Sequence, residues 1–258
     1  MPNPTCASCG VPLLPPFRFC GACGKPAPAS PAGHATDPRV AHPASSPSPA
    51  RFRLVTRRSD GAPGATFALT QADSLCGRTE GDIRLAEDPT VSPRHARFTQ
   101  GRGVLHVEDL GSVNGTFLRL RAPCRVRVGD ELRLGRQLLR LEPMPRPARS
   151  DDRGVHPWGT RDAGCRFRLS QLIEGGGLGE VFALRDGENG VGREAGEVTF
   201  PSDRYVSARH ARIDVERDAI TVADLDSANG TFVKITGGAD LVPGDELLVG
   251  GQLLRVEA

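Results

Sequence analysis

Aromatic residues are scarce in this chain: one Trp, one Tyr and ten Phe make up 5% of 258 residues. Lysine is scarcer still, since Lys25 and Lys234 are the only two among 33 basic residues. Long apolar runs are missing as well. None approaches the roughly 18 residues that span a bilayer, and the N-terminus has no hydrophobic signal core, so the expected location is the cytoplasm. Neither charge sign dominates, with 33 basic against 31 acidic residues and a net charge of +2. That balance argues against both a polybasic nucleic-acid binder and an acidic tail protein. No segment shows a capped amphipathic helical stripe. Glycine (31) and proline (22), by contrast, exceed a fifth of the chain, a composition suited to short strands and turns.

The N-terminal 24 residues hold four of the seven cysteines, as Cys6-x2-Cys9 and Cys20-x2-Cys23, each pair followed by a glycine, Gly10 or Gly24. Two such knuckles can donate four thiolates tetrahedrally, and the glycines permit the tight turn around a metal. So short a segment cannot fold on apolar burial alone, so a bound Zn2+ would supply the folding energy. The pattern resembles the short zinc-ribbon modules at the N-termini of many bacterial proteins. Residues 25–50 follow, of which 18 are Pro, Ala or Ser, and they read as a disordered linker. Residues 143–164 read as a second linker, with Trp158 either an anchor or an incidental exposed aromatic. Cys76, Cys124 and Cys165 follow no ligand spacing and read as ordinary thiols.

The remainder is one block written twice. Aligned at an offset of 115 without a gap, residues 51–142 match 166–257 at 38 of 92 positions. This is a tandem duplication of a domain of roughly 92 residues, with domain bounds 51–142 and 165–258. Within each copy, short alternating runs are separated by Gly, Asp and Asn turn residues. The expected fold class is all-β, two tandem antiparallel β-sandwiches.

Three motifs recur in order in both copies: Gly77-Arg78, Ser92…His95 and Asn114-Gly115-Thr116-Phe117, then Gly192-Arg193, Ser207…His210 and Asn229-Gly230-Thr231-Phe232. In this order they resemble the forkhead-associated (FHA) domain family, β-sandwiches that read phosphothreonine in peptides. The resemblance implies that Arg78 and Ser92 hold phosphate in the first copy while Asn114 clamps the peptide main chain. Arg193, Ser207 and Asn229 would do so in the second. The chemistry fits independently of the family. A guanidinium fork matches phosphate oxygens, a serine hydroxyl adds a short donor, and an Asn amide offers both a donor and an acceptor to an extended backbone.

Two positions depart from the family pattern. Pro93 and Ala208 stand where a basic residue often follows the serine, and Val113 and Ala228 stand where a threonine often precedes the Asn-Gly. Arg94 and Arg209, one residue further on, are the nearest substitutes for the missing charge. His95 and His210 are read as structural, bonded to backbone beside the phosphate loop, with Gly77, Gly192, Gly115 and Gly230 shaping the same loops. Gly175–Phe182 resembles a kinase glycine-rich loop, but no catalytic lysine, His-Arg-Asp or Asp-Phe-Gly accompanies it, so it reads as a β-turn.

The expected function is a non-enzymatic adaptor that recruits threonine-phosphorylated partners, a Ser/Thr kinase or its substrates among them, without membrane or nucleic acid. The alternative is a scaffold that uses the same folds independently of phosphate. The first copy carries 16 basic and 11 acidic residues and the second, counted over 165–258, carries 10 and 16. A dianionic peptide should therefore be steered to the first copy. For the cysteines, metal analysis of purified, reduced protein should find one zinc per chain, and chelator should unfold residues 1–24. A zinc content well under one would rule out the four-thiolate site.

Overall fold

The computed structural model describes residues 52–258 apart from 59, 60, 102, 147–149, 151, 157 and 161–163. Cys6, Cys9, Cys20, Cys23 and the linker at 25–50 lie outside the described residues. Described residues form strands and turns only, and no helix among them is long and apolar enough to cross a membrane.

The first copy supplies β1 (Phe52–Arg57), β2 (Pro63–Leu69), β3 (Asp73–Gly77), β4 (Ile83–Arg84) and β5 (Ala96–Gly101). It continues with β6 (Val104–Asp109), β7 (Thr116–Arg119), β8 (Cys124–Val126), β9 (Glu131–Leu134) and β10 (Gln137–Pro143). The second copy supplies β11 (Phe167–Leu172), β12 (Leu178–Leu184), β13 (Gly187–Gly192), β14 (Val198–Thr199) and β15 (Ala211–Val215). It ends with β16 (Ile220–Asp224), β17 (Thr231–Lys234), β18 (Gly238–Leu241), β19 (Glu246–Val249) and β20 (Gln252–Glu257). Period-two patterning drives these strands: in β5, Ala96 and Phe98 are buried while Arg97 between them faces water. The glycine-rich segment at 173–177 is the β11–β12 turn, closed by Ile173 N–H to Gly177 O at 3.0 Å. Trp158 is 99% exposed and anchors nothing.

The copies do not close on themselves. One ten-stranded sheet runs β12-β11-β10-β9-β17-β7-β19-β20-β1-β2, and two five-stranded sheets run β14-β13-β15-β16-β8 and β18-β6-β5-β3-β4. Thus β1 pairs with β20 and not with β10, β6 with β18 and not with β8, and β7 with β19 and not with β9. The reciprocal pairs are β10–β11, β8–β16 and β9–β17. Each sandwich is therefore completed by the last three strands of the other copy. The exchange turns on β7 and β17, antiparallel neighbours in which Leu118 faces Val233, Phe117 faces Lys234 and Arg119 faces Phe232. Those three pairs map onto one another at the offset of 115, so a pseudo-two-fold axis passes between Leu118 and Val233.

The cores follow the exchange. The first packs Phe52, Leu54, Leu69, Phe98 and Val107 against Leu241, Leu247, Val249, Leu254 and Val256 of the second copy. The second packs Val126, Leu132, Leu134, Leu139 and Leu141 against residues from Leu169 to Val222. A fully buried aliphatic side chain contributes about 2 kcal/mol, so the five exchanged residues in each core are worth about 10 kcal/mol gross. That is comparable to the net stability of a whole domain. The sequence boundaries 51–142 and 165–258 thus mark repeats but not packing units, because homologous strands with the same pattern fit either body.

Residues that differ between the copies favour the exchange. Opposite β6 stands Gly238, where a Cβ would lie 2.9 Å from the Val107 carbonyl oxygen and on the His106 ring. An unexchanged chain would put Pro123 there. His106 Nδ1 meets Asp240 Oδ1 at 2.7 Å, where the unexchanged chain would place Arg125. In β16, Thr221 replaces the histidine and accommodates Arg125 opposite it.

The register supplies a direct test. Arg53 faces Glu257 across β1 and β20. The double variant Arg53→Cys/Glu257→Cys should form an intrachain disulfide, identified by peptide mapping of the oxidised monomer. Arg53→Cys/Glu142→Cys, the pair an unexchanged fold would join, should not. The reverse result would mean that each copy closes on itself.

Candidate functional site

The repeated motifs converge at one end of each sandwich. Arg78, just past β3, is tied to the serine loop by its N–H to Ser92 O at 2.9 Å, and Arg193 N–H bonds Ser207 O at 2.8 Å. Gly77 permits this approach, because a Cβ there would overlap the Pro93 carbonyl. Ser92 Oγ accepts from Val113 N–H at 3.1 Å and Ser207 Oγ from Ala228 N–H at 3.2 Å. Backbone amides thus occupy these serines where the side chains of Val113 and Ala228 cannot, and each hydroxyl keeps its own hydrogen to donate.

His95 and His210 are fully buried beneath these loops. His95 Nδ1 accepts from Ser92 N–H at 3.1 Å, so Nε2 carries the proton and donates to Gly115 O at 3.1 Å. His210 repeats the arrangement with Ser207 N–H at 3.0 Å and Gly230 O at 3.1 Å. Each ring therefore bolts the serine loop to the Asn-Gly turn and offers no nitrogen to a metal or substrate. Asn114 Nδ2 donates to Thr90 O at 2.7 Å and Asn229 Nδ2 to Tyr205 O at 2.8 Å, which leaves each amide oxygen exposed at the rim.

Several residues essential to this geometry carry no ligand-type signature in the sequence. Asp109 gathers the N–H groups of Gly111 and Ser112 and the hydroxyls of Ser112 and Thr116, and Asp224 does the same with Ser227 and Thr231. Burial pushes both carboxyls up, but these hydrogen bonds outweigh it and hold both pKa values below the ordinary range. Asp88 and Asp203 carry the exchange into the site. Asp203 accepts from Arg136 N–H and Gln137 Nε2 of the first copy at 2.8 and 2.7 Å, and Asp88 accepts from Gly251 N–H of the second at 2.9 Å. Lys234 lies over Gly115 and reaches Glu131 at 3.0 Å, while Arg119 lies over Gly230 and reaches Glu246 at 2.5 Å. The available clue was their recurrence at the offset of 115, with Lys for Arg in one case.

The arginines separate the two sites. Arg78 Nε is buried with no hydrogen-bond partner. Arg193 donates Nε and Nη2 to Glu194 Oε1 at 3.1 and 2.8 Å. Arg94 is exposed and stands 3.9 Å from Glu80. Arg209 lines a shallow cleft with Glu188 and Glu197.

The steering expectation does not survive the strand exchange. The segments that build the first sandwich, 52–120 and 238–258, together carry ten basic and twelve acidic residues. Those of the second, 121–143 and 167–237, carry fourteen and fifteen. The basic end of one copy completes the acidic body of the other, so the net charges nearly equalise and net charge no longer distinguishes the two bodies.

The family model for the FHA domain matches residues 75–135 and 189–250. The chain carries two FHA domains in tandem. Among curated relatives, the FHA domain-containing protein FhaB of Mycobacterium tuberculosis is 36% identical over 98 residues, 36% of this chain and 61% of the relative. The oxoglutarate dehydrogenase inhibitor of Corynebacterium glutamicum is 44% identical over 87 residues, 32% of this chain and 59% of the relative. The chain thus spans about three-fifths of the length of these relatives. A solved structure described as an analysis of phosphothreonine-dependent FHA domain interactions is 32% identical, with a TM-score of 0.23 over 35% of this chain and 95% of that one.

Burial of His95 and His210 lowers their pKa below the ordinary 6.5, so each ring takes up a proton less readily in the folded chain than in the unfolded one. Above pH 6.5 the unfolded chain is neutral at these positions too, and their contribution to stability is complete. As pH falls below that value the unfolded chain takes up protons that the folded chain refuses, and stability drops. Melting temperature should therefore decline between about pH 7 and pH 5. The double variant His95→Gln/His210→Gln should start lower, by about 1–3 kcal/mol per lost bolt, and decline less steeply. An unchanged slope in that variant would show that these rings do not titrate on unfolding.

Proposed function

We propose that this protein is a non-enzymatic, cytoplasmic adaptor that binds threonine-phosphorylated segments of partner proteins in a Ser/Thr-kinase-linked pathway. The observation that carries this reading is Arg78: its guanidinium has a buried, unpartnered Nε, and its main-chain N–H is bonded to Ser92 O in the same loop cluster as the Asn114 amide. Leaving a buried donor unpaired is unfavourable, and a phosphate oxygen would satisfy it with a charge-assisted bond. Asn114, already fixed on the Thr90 carbonyl, offers its free oxygen to the N–H of an extended peptide. Threonine-phosphorylated kinases and kinase substrates are the partners this chemistry fits. A regulatory role and not a catalytic one is also supported by the dehydrogenase inhibitor among the relatives.

For the N-terminal segment we propose one structural zinc on Cys6, Cys9, Cys20 and Cys23. The support is the paired spacing and the glycine after each pair.

In the full-length chain, Arg78→Ala should weaken binding of a phosphothreonine peptide by about 1.5–3 kcal/mol and leave the melting temperature within a few degrees. Titration calorimetry, with the dephosphorylated peptide as the blank, reads this out. Equal affinity for the phosphorylated and dephosphorylated peptides would point instead to a phosphate-independent scaffold.

A further inference from the structure

The two sites share their ligand-type residues and differ beside the arginine. At the repeat offset Thr79 aligns with Glu194, and Glu80 aligns with Ala195. The acidic residue has thus moved by one position. Both positions lie in the bends that follow β3 and β13, where a one-residue shift changes which arginine the carboxylate meets. Glu80 accordingly stands by Arg94, at 3.9 Å, and leaves Arg78 alone. Glu194 turns to Arg193 and takes both of its Nε and Nη2 donors on one oxygen, Oε1, at 3.1 and 2.8 Å. That is the edge of the guanidinium a phosphate would use.

We propose that Glu194 is an internal competitor for the phosphoryl group, a specificity-determining residue that directs singly phosphorylated ligands to the first site. This rests on the reading of both sites as phosphothreonine receptors. The Arg193–Glu194 pair is itself weak, since the Glu194 side chain is 64% exposed and water screens it. Displacing it is therefore easy, but the carboxylate remains tethered to the next residue. A dianion bound at Arg193 would keep a like charge within a few ångströms, a penalty of about tenfold in affinity even in a largely aqueous setting. In the first site residue 79 is an uncharged threonine, and the nearby Glu80 stands by Arg94 and not on the Arg78 guanidinium. The preference is thus a contact effect, which salt reduces less than it would reduce a long-range field.

The experiment uses the full-length chain and a peptide that the wild-type protein selects from a degenerate phosphothreonine library, together with its unphosphorylated twin. In an Arg78→Ala background, titration calorimetry reads the second site alone. Adding Glu194→Thr, the first copy's residue, should raise phosphopeptide affinity about tenfold, and Glu194→Gln, which keeps the shape and removes the charge, should give most of that gain. In an Arg193→Ala background, Thr79→Glu should weaken the first site to a similar degree. The proposal is overturned if Glu194→Thr and Glu194→Gln both leave the second site unchanged, including the case in which neither variant binds at all. A different failure, binding of the unphosphorylated twin by the wild-type protein as tightly as the phosphorylated peptide, would instead remove the phosphothreonine reading.

Discussion

Everything described here depends on two four-residue strands, β7 and β17, pairing with each other. Each leaves its own Asn-Gly turn and, by pairing across the pseudo-dyad, sends the rest of its copy into the opposite sandwich. The apolar groups that fill each core, the carboxylates that close each loop and the cation that lies on each turn all acquire partners from the other half. The described residues from Phe52 to Ala258 consequently form one compact unit although they contain two FHA repeats.

The fold class and the site loops were legible in the sequence because both are encoded locally. Alternation in segments such as β5 and β15 is a property of five or six consecutive residues, and Asn-Gly marks its own turn through a positive φ at Gly115 and Gly230. The motif order carried Arg78, Ser92, His95 and Asn114 to one place without knowledge of which strands pair. The exchange was not legible in that way. Duplication makes β10 and β20 nearly interchangeable, so hydrophobic pattern cannot say which of them lies beside β1. What breaks the degeneracy is small: Gly238 where the first copy has Pro123, Asp240 where it has Arg125, and His106 where the second has Thr221.

The charge distribution shows how a count made along the sequence changes once the strands are exchanged. The imbalance between the copies is real, but charge acts where the chain places it. The arginines at 121, 125, 127, 133, 136 and 140 belong to the first copy's sequence and to the second copy's body. Complementarity between the exchanged ends and their hosts is thus an internal matter that supports assembly and cancels at long range. What distinguishes the sites is a carboxylate displaced by one residue.

The cations on the Asn-Gly turns constrain how such a gene can change. Lys234 touches the loop of the site its own repeat does not encode, and Arg119 does likewise. Once the ends have been traded, neither half can be deleted, duplicated again or recombined with a foreign FHA segment without also altering the other half's binding loop. The repeats are bound to a common inheritance: a substitution in the last twenty residues is a substitution in the first domain, and selection on either site is felt along the whole length of the pair.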